Sequence, residues 1–226
     1  MKKTIESQCA MCDVPLQERR CTNPEGRGIK GCPTLLKKDL AEKARREYER
    51  EDVLEFARLT SVQEGECYAN RDKSPYLMHP VKPRILEICE FAEKMKFKKL
   101  GLVFCGGLAR EAETVSGIFK QKGFDVVSVM CKVGGIPKEE IGLKDHEKIF
   151  RGRFEAMCNP ILQALIVNDA RTQLNVLLGL CVGHDSLFLR YAKAPATVLA
   201  VKDRVTGHNP LAAIYTSGSY YAWLGE

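Results

Sequence analysis

Apolar and polar positions fall along this chain in blocks that point to an α/β fold. The plainest block is 174–181, where Val176, Leu177, Leu178 and Leu180 form an apolar run without a polar face. Such a run suits a strand buried on both sides of a parallel sheet. Comparable runs at 100–105, 125–131 and 196–202 predict three more strands. Between them, Ala112, Val115, Ile118 and Phe119 recur at helical spacing over 109–122, and Gly123 closes that helix. Residues 160–170 predict an apolar helix with Asn159 as its cap and Pro160 in its first position. A third helix is expected over 185–193 with Asp185 as cap, and a last one from about Asn209. Strands joined through helices should cross over right-handed, giving a small, mainly parallel, four-stranded Rossmann-like sheet.

Upstream the pattern changes. Leu36, Leu40 and Ala44, then Val53, Leu54, Ala57 and Leu59, predict helix from 34 to 59, interrupted by the charged stretch KARREYEREDVLE. The alternating signs of that stretch read as a solvated helix face. Pro83 opens a second helix that buries Ile85, Leu86, Ile88, Cys89, Ala92 and Met95. Residues 1–34 have few apolar positions, many turn formers, and Cys9, Cys12, Cys21 and Cys32. A segment that cannot build a core needs another source of order, and four thiolates around one metal centre supply it. The expected division is a Cys-rich module with helices over 1–97 and an α/β domain over 98–226.

The spacing C-x2-C-x8-C-x10-C-P holds one close pair and two single ligands. Zinc sites more often use two close pairs. A terminal Cys-Pro occurs in iron–sulfur motifs, although the other spacings here differ from the ferredoxin run. A 4Fe-4S cluster is therefore favoured, with zinc as the alternative in this module and a flexible tail of unligated thiols as the plain reading.

Three predicted strands end on cysteine. Cys105 is followed by Gly106 and Gly107, Cys131 by Gly134 and Gly135, and Cys181 by Gly183. Ligands of open α/β sheets bind outside the carboxyl ends of the strands. Cys158, just before a helix start, could bring a fourth thiol to that edge. Four thiolates from separate segments, with glycines that admit backbone N–H groups, suit a second 4Fe-4S cluster. The competing reading is that they are buried structural cysteines, a common fate for this residue. His184, Arg204 and His208 belong to the same edge, where histidine could ligate metal or move protons and arginine could hold an anion. Cys89 reads as a core residue, and Cys67 as a fifth ligand or an unligated thiol.

Composition narrows the classes. A chain of 226 residues with 45% hydrophobic and 28% charged side chains is ordinary for a soluble globular protein. No apolar run reaches membrane-spanning length. The net charge of +6 is spread along the chain, without a basic stripe interleaved with aromatics, which disfavours nucleic acid. Neither a G-x-G-x-x-G nor a Walker sequence is present. Ten cysteines without a secretory signal point to metal or redox chemistry in the cytoplasm rather than to disulfides. The tail YTSGSYYAWLGE carries the only tryptophan and is expected to dock.

The stretches CAMCD, Cys21, Cys32-Pro33, FCGGLAREA, CKVGG, CNP, GLCVGHDSLF and VKDRVTGHNPLAAIY together cover most of the chain. In these it resembles a family of uncharacterised cysteine-rich "metal-binding proteins", a domain of unknown function found mainly in anaerobic bacteria and archaea. The resemblance implies metal binding and no particular reaction. Cys21 stands farther from the first cysteine pair than the third cysteine often does in that family.

Three functions fit these observations. The first is an iron–sulfur redox or electron-transfer protein with one centre in the N-terminal module and another at the sheet edge, passing electrons to a substrate or redox partner. The second is a zinc-stabilised binding or regulatory protein whose sheet edge holds a small anionic ligand. The third is a thiol enzyme with a strand-end cysteine as nucleophile and His184 as base. Homo-oligomerisation is compatible with each.

Overall fold

A computed structural model describes residues 5–226. The chain separates into two compact units, 1–64 and 65–226. In the first, residues 5–32 form turns and short 3-10 segments at Cys9–Met11 and Leu16–Glu18. Val14 is the one buried apolar side chain of that stretch among the described residues. Helices α1 (Pro33–Leu36), α2 (Lys38–Glu47) and α3 (Glu51–Glu66) follow. The helix expected over 34–59 is thus broken twice, at Lys37 and over 48–50. No residue of α2 is buried, so tertiary packing does not carry the helix through its charged middle.

The second unit opens with α4 (Arg84–Lys94), which Pro83 precedes as cap rather than entering. The sheet holds β1 (Lys99–Phe104), β2 (Asp125–Met130), β3 (Leu174–Leu180) and β4 (Ala196–Val201), all parallel, in the order β2-β1-β3-β4. Every residue of β3 is buried, as its unbroken apolar run requires. Helices α5 (Ala109–Gln121), α6 (Pro160–Asp169) and α7 (His184–Tyr191) complete the α/β unit. The core has two parts. Ile88, Cys89 and Ala92 of α4 and Ala112, Val115 and Phe119 of α5 pack with Leu100, Leu102, Val176 and Leu178. Ala164 and Val167 of α6 and Phe188 of α7 pack with Val103, Leu177 and Val129, on the alternate residues of the same strands.

Three local details depart from the sequence pattern. The β3–β4 register slips between Leu177 and Leu180, where Gly179 has φ +69° and an added Cβ would lie 2.2 Å from Leu108. Only glycine fits there, and such a bulge re-aims the residues that follow it. Asp185 does not cap α7: the helix begins at His184 after Gly183, and Asp185 accepts the N–H of its neighbour Ser186 at 2.7 Å. Asn209 likewise does not cap the helix that follows it. The last helix, α8 (Leu211–Tyr215), starts after Pro210, and Asn209 offers only its carbonyl to the Ala212 N–H. By contrast, the Asn159 side chain accepts the Leu162 N–H at 3.0 Å, with Pro160 opening α6. No helix among the described residues is long and apolar enough to cross a membrane.

Candidate functional site

The strand order places a topological switch point between β1 and β3, since the chain leaves β1 for β2 on one side and returns to β3 on the other. Ligands of such sheets sit in the crevice outside the carboxyl ends at that point. Cys105 directly follows β1, Cys181 follows β3, and Cys131 follows β2. Backbone bonds continue the ladder to these residues: the Cys105 N–H donates to the Leu178 carbonyl at 3.0 Å and the Cys131 N–H to Phe104 at 2.8 Å.

Cys158 arrives from a different direction. The chain leaves the sheet at Cys131, runs through residues 132–158, and returns where the Asn159 N–H donates to the Cys131 carbonyl at 2.7 Å. That clamp sets Cys158 beside Cys131. Within the excursion, Lys138 pairs with Glu155 at 2.6 Å, and Lys148 pairs with Glu139 at 2.8 Å and Asp145 at 2.9 Å. Glu155 also accepts the N–H groups of Ile149 and Phe150. From α6, the buried Gln163 amide donates to the Val129 carbonyl at 2.8 Å and the Phe104 carbonyl at 3.3 Å, tying β1 and β2 together just before their cysteines.

Cys131, 3% exposed, is the centre of a thiol network. Its side chain interacts with those of Cys105 and Cys158, and its Sγ accepts the Gly106 N–H at 3.3 Å. The Cys158 side chain in turn meets His184, the first residue of α7. Cys131 is pushed up, first by its bonds to Cys105 and Cys158 and then by burial, so it keeps its proton. Cys158 is drawn down to about 4 by the Cys131 thiol and then by His184, against burial. Cys105 is drawn down to about 5 by Cys131, with the Gly107 N–H and Lys202 helping against burial. His184 is raised by the Cys158 thiolate. The arrangement favours the proton on the central Cys131 and the thiolate form on Cys105 and Cys158, with Lys202 at one end and His184 at the other.

The remaining residues expected at this edge are placed as follows. Arg204, on the loop after β4, donates from Nη2 to the Cys181 Sγ at 3.1 Å. His208 is held by its own loop, its Nδ1 lying 3.2 Å from the Asp203 N and 3.1 Å from the Val201 carbonyl. Gly106 and Gly107 form the turn into α5, and a Cβ on Gly107 would lie 3.5 Å from the Lys202 Nζ. Gly134 packs against Leu162, whereas Gly135 and Gly183 face open space. Cys89 lies in the core, and Cys67 is buried near the start of this unit. Lys132, whose Nζ bonds the Ala156 carbonyl and whose charge lowers Cys158, has only its position after Cys131 to announce it. Gln163 has no sequence signal beyond being polar in an apolar helix.

In the N-terminal unit, Cys9, Cys12, Cys21 and Cys32 line one cavity of about 50 Å³ together with Arg19, Arg20 and Arg27. Arg19 fixes the loop by donating to the Val14 carbonyl at 2.7 Å and the Cys12 carbonyl at 2.8 Å. A Cβ on Gly28 would lie 2.7 Å from the Cys32 Sγ, so the backbone at this position is cut away to seat that sulfur. Four thiol donors around one small space match the donor set of a cysteine-ligated centre. Among the described residues, no group of three or more histidine, cysteine, aspartate or glutamate side chains is arranged to hold a metal ion as it stands.

Residues 32–199 match a family described as "Protein of unknown function (DUF1847)". The chain is 45% identical over 185 residues to the uncharacterized protein MJ0455 of Methanocaldococcus jannaschii, covering 82% of this chain and 87% of that one. No solved structure matches.

Proposed function

The chain belongs to the DUF1847 family, and we propose that it is a redox protein of the reducing cytoplasm built on cysteine-bound iron–sulfur centres. Cys9, Cys12, Cys21 and Cys32 would hold one 4Fe-4S cluster, with zinc as the alternative there. Cys105, Cys131, Cys158 and Cys181 would hold a second. The observation that carries this reading is the meeting of thiols from separate segments at the carboxyl edge, with an N–H group aimed at the central sulfur. When bound, a 4Fe-4S cluster supplies one-electron transfer. Cys131 and Cys181 end strands two places apart, about 10 Å at the strand spacing of about 4.8 Å. One zinc ion, with Zn–S bonds of about 2.3 Å, is a poor bridge over that span. A cluster gives each thiolate its own iron and is wider. Lys202, Arg204 and His184 would balance its charge and set its potential, and a redox partner or small anionic substrate would approach over Gly135 and Gly183.

Anaerobic purification tests the assignment, with iron, zinc and acid-labile sulfide measured per chain. Iron and sulfide in near-equal amounts with visible absorption are expected. Zinc alone, or neither metal when both are supplied, overturns it.

The Cys158–His184 contact favours a second reading, a thiol enzyme in which Cys158 attacks an electrophile. Rapid, stoichiometric alkylation confined to Cys158 in protein that retains its metal would select this reading over the first.

A further inference from the structure

The segment after β4 has a second side. Asp203, Val205 and Thr206 line a cavity of about 430 Å³ with Ala213 of α8 and Tyr220, Tyr221, Trp223 and Leu224 of the tail. That volume suits a small ligand. Tyr220 is 79% and Trp223 60% exposed, so the segment keeps much of its ring surface open to solvent. The rings stand against one another, Tyr220 and Tyr221 at 4.9 Å and 83°, Tyr221 and Trp223 at 6.1 Å and 60°. They are held there by a folded backbone, with the Tyr221 N–H donating to Thr216 at 3.0 Å and the Leu224 N–H to Tyr221 at 3.0 Å.

The charge at this cavity is negative. Asp203 Oδ1 accepts the N–H groups of Val205 and Thr206 at 2.9 Å each, and these bonds, the Thr206 N–H foremost, hold its carboxyl below the usual range. The neighbouring Arg204 guanidinium is engaged with Cys181. A fixed carboxylate beside three aromatic rings set edge to face is complementary to an organic cation, because ring faces carry partial negative charge and attract cations that are weakly hydrated. A metal ion or ammonium would keep its water, whereas a methylated ammonium group also gains from contact with the rings and with Val205 and Leu224.

We propose that Asp203, Tyr220, Tyr221 and Trp223 form a binding site for a methylated ammonium group. The site is distinct from the thiol network and does not depend on its metal content. Trp223 is the only tryptophan of the chain and reports directly on occupancy. Tetramethylammonium chloride, titrated into the full-length protein against sodium chloride at equal ionic strength, should change the tryptophan emission saturably. The neutral tert-butyl alcohol, similar in shape, should bind at least about tenfold more weakly. Asp203→Asn should weaken tetramethylammonium binding about tenfold. Tyr220→Leu, a change at an exposed ring that leaves the fold intact, should weaken it severalfold. A short peptide carrying trimethyl-lysine locates the group: tighter binding than tetramethylammonium assigns it to a protein partner, equal or weaker binding to a free small molecule. No saturable change, equal binding of the alcohol, or unchanged affinity in both variants overturns the proposal.

Discussion

Gly28 and Cys32 are in such close contact that a single methyl group at residue 28 would overlap the Cys32 sulfur, 2.7 Å away. Gly28→Ala should therefore displace one thiol of the N-terminal cavity without touching the sheet. The expected result is loss of the metal bound by this unit, measured as metal per chain, with the circular dichroism of the α/β unit unchanged. Full metal content in the variant would show that Cys32 is not a ligand.

Cys158→Ser and Cys89→Ser separate chemistry from packing. The first removes a member of the thiol network and should abolish the absorption of the sheet-edge centre. The second places a hydroxyl in the core, costing about 1–3 kcal/mol for a buried unpaired polar group, and should leave the spectrum as it was. Equal spectral losses at matched folded fraction would contradict the proposed ligand set.

In metal-stripped protein, the thiolate of Cys158 should persist well below neutral pH. Its pKa is lowered to about 4, so the thiolate is present above that value and is lost as pH falls through it. His184→Gln removes the side chain whose hydrogen bond lowers Cys158 and should move the midpoint upward. Ultraviolet thiolate absorbance against pH is the measurement, and an unmoved midpoint would leave His184 without the role given to it.

Glu155 organises the excursion between β2 and α6. Its carboxyl is held below the ordinary value, mainly by Lys138, so this contribution is complete above the ordinary glutamate range and fades as pH falls through the lower folded value. Glu155→Gln should have the same effect at neutral pH. Faster tryptic cleavage at Arg151 and Arg153 is expected, and wild-type cleavage rates would refute the arrangement.

Gln163→Leu should destabilise the α/β unit by about 1–3 kcal/mol, because its amide is buried and bonded to two strand-end carbonyls. Urea unfolding at constant slope gives the number. A neutral effect would mean that the strand ladder alone holds those ends together.

Much of this fold is legible in the chain because parallel strands buried on both faces leave short apolar runs bounded by turn residues. The β3 run predicted a fully buried central strand, and Asn159-Pro160 announced a helix start by its capping chemistry. The strand-end thiols could be placed on one edge for the same reason. Among their partners, His184, Lys202 and Arg204 could be placed there too, since each follows a strand end. Lys132 and Gln163 reach the edge through tertiary geometry, which residue spacing does not encode. The slip at Gly179 has no signal in the sequence, because a glycine inside an apolar run resembles any other small residue until Leu108 lies against it. Asp185 misled in the opposite sense: it is a good capping residue, but the helix takes His184 as its first member and draws that imidazole to Cys158.

The bond from the Asn159 N–H to the Cys131 carbonyl closes residues 132–158 into a loop pinned at its neck. The separation of the two thiols at the neck is then independent of how much chain lies beyond it. Doubling the loop would add only about 0.6 kcal/mol of closure entropy. Related chains are thus at liberty to lengthen, shorten or rewrite this excursion, acquiring new surface for whatever approaches the edge, while the sulfur chemistry beneath stays in register.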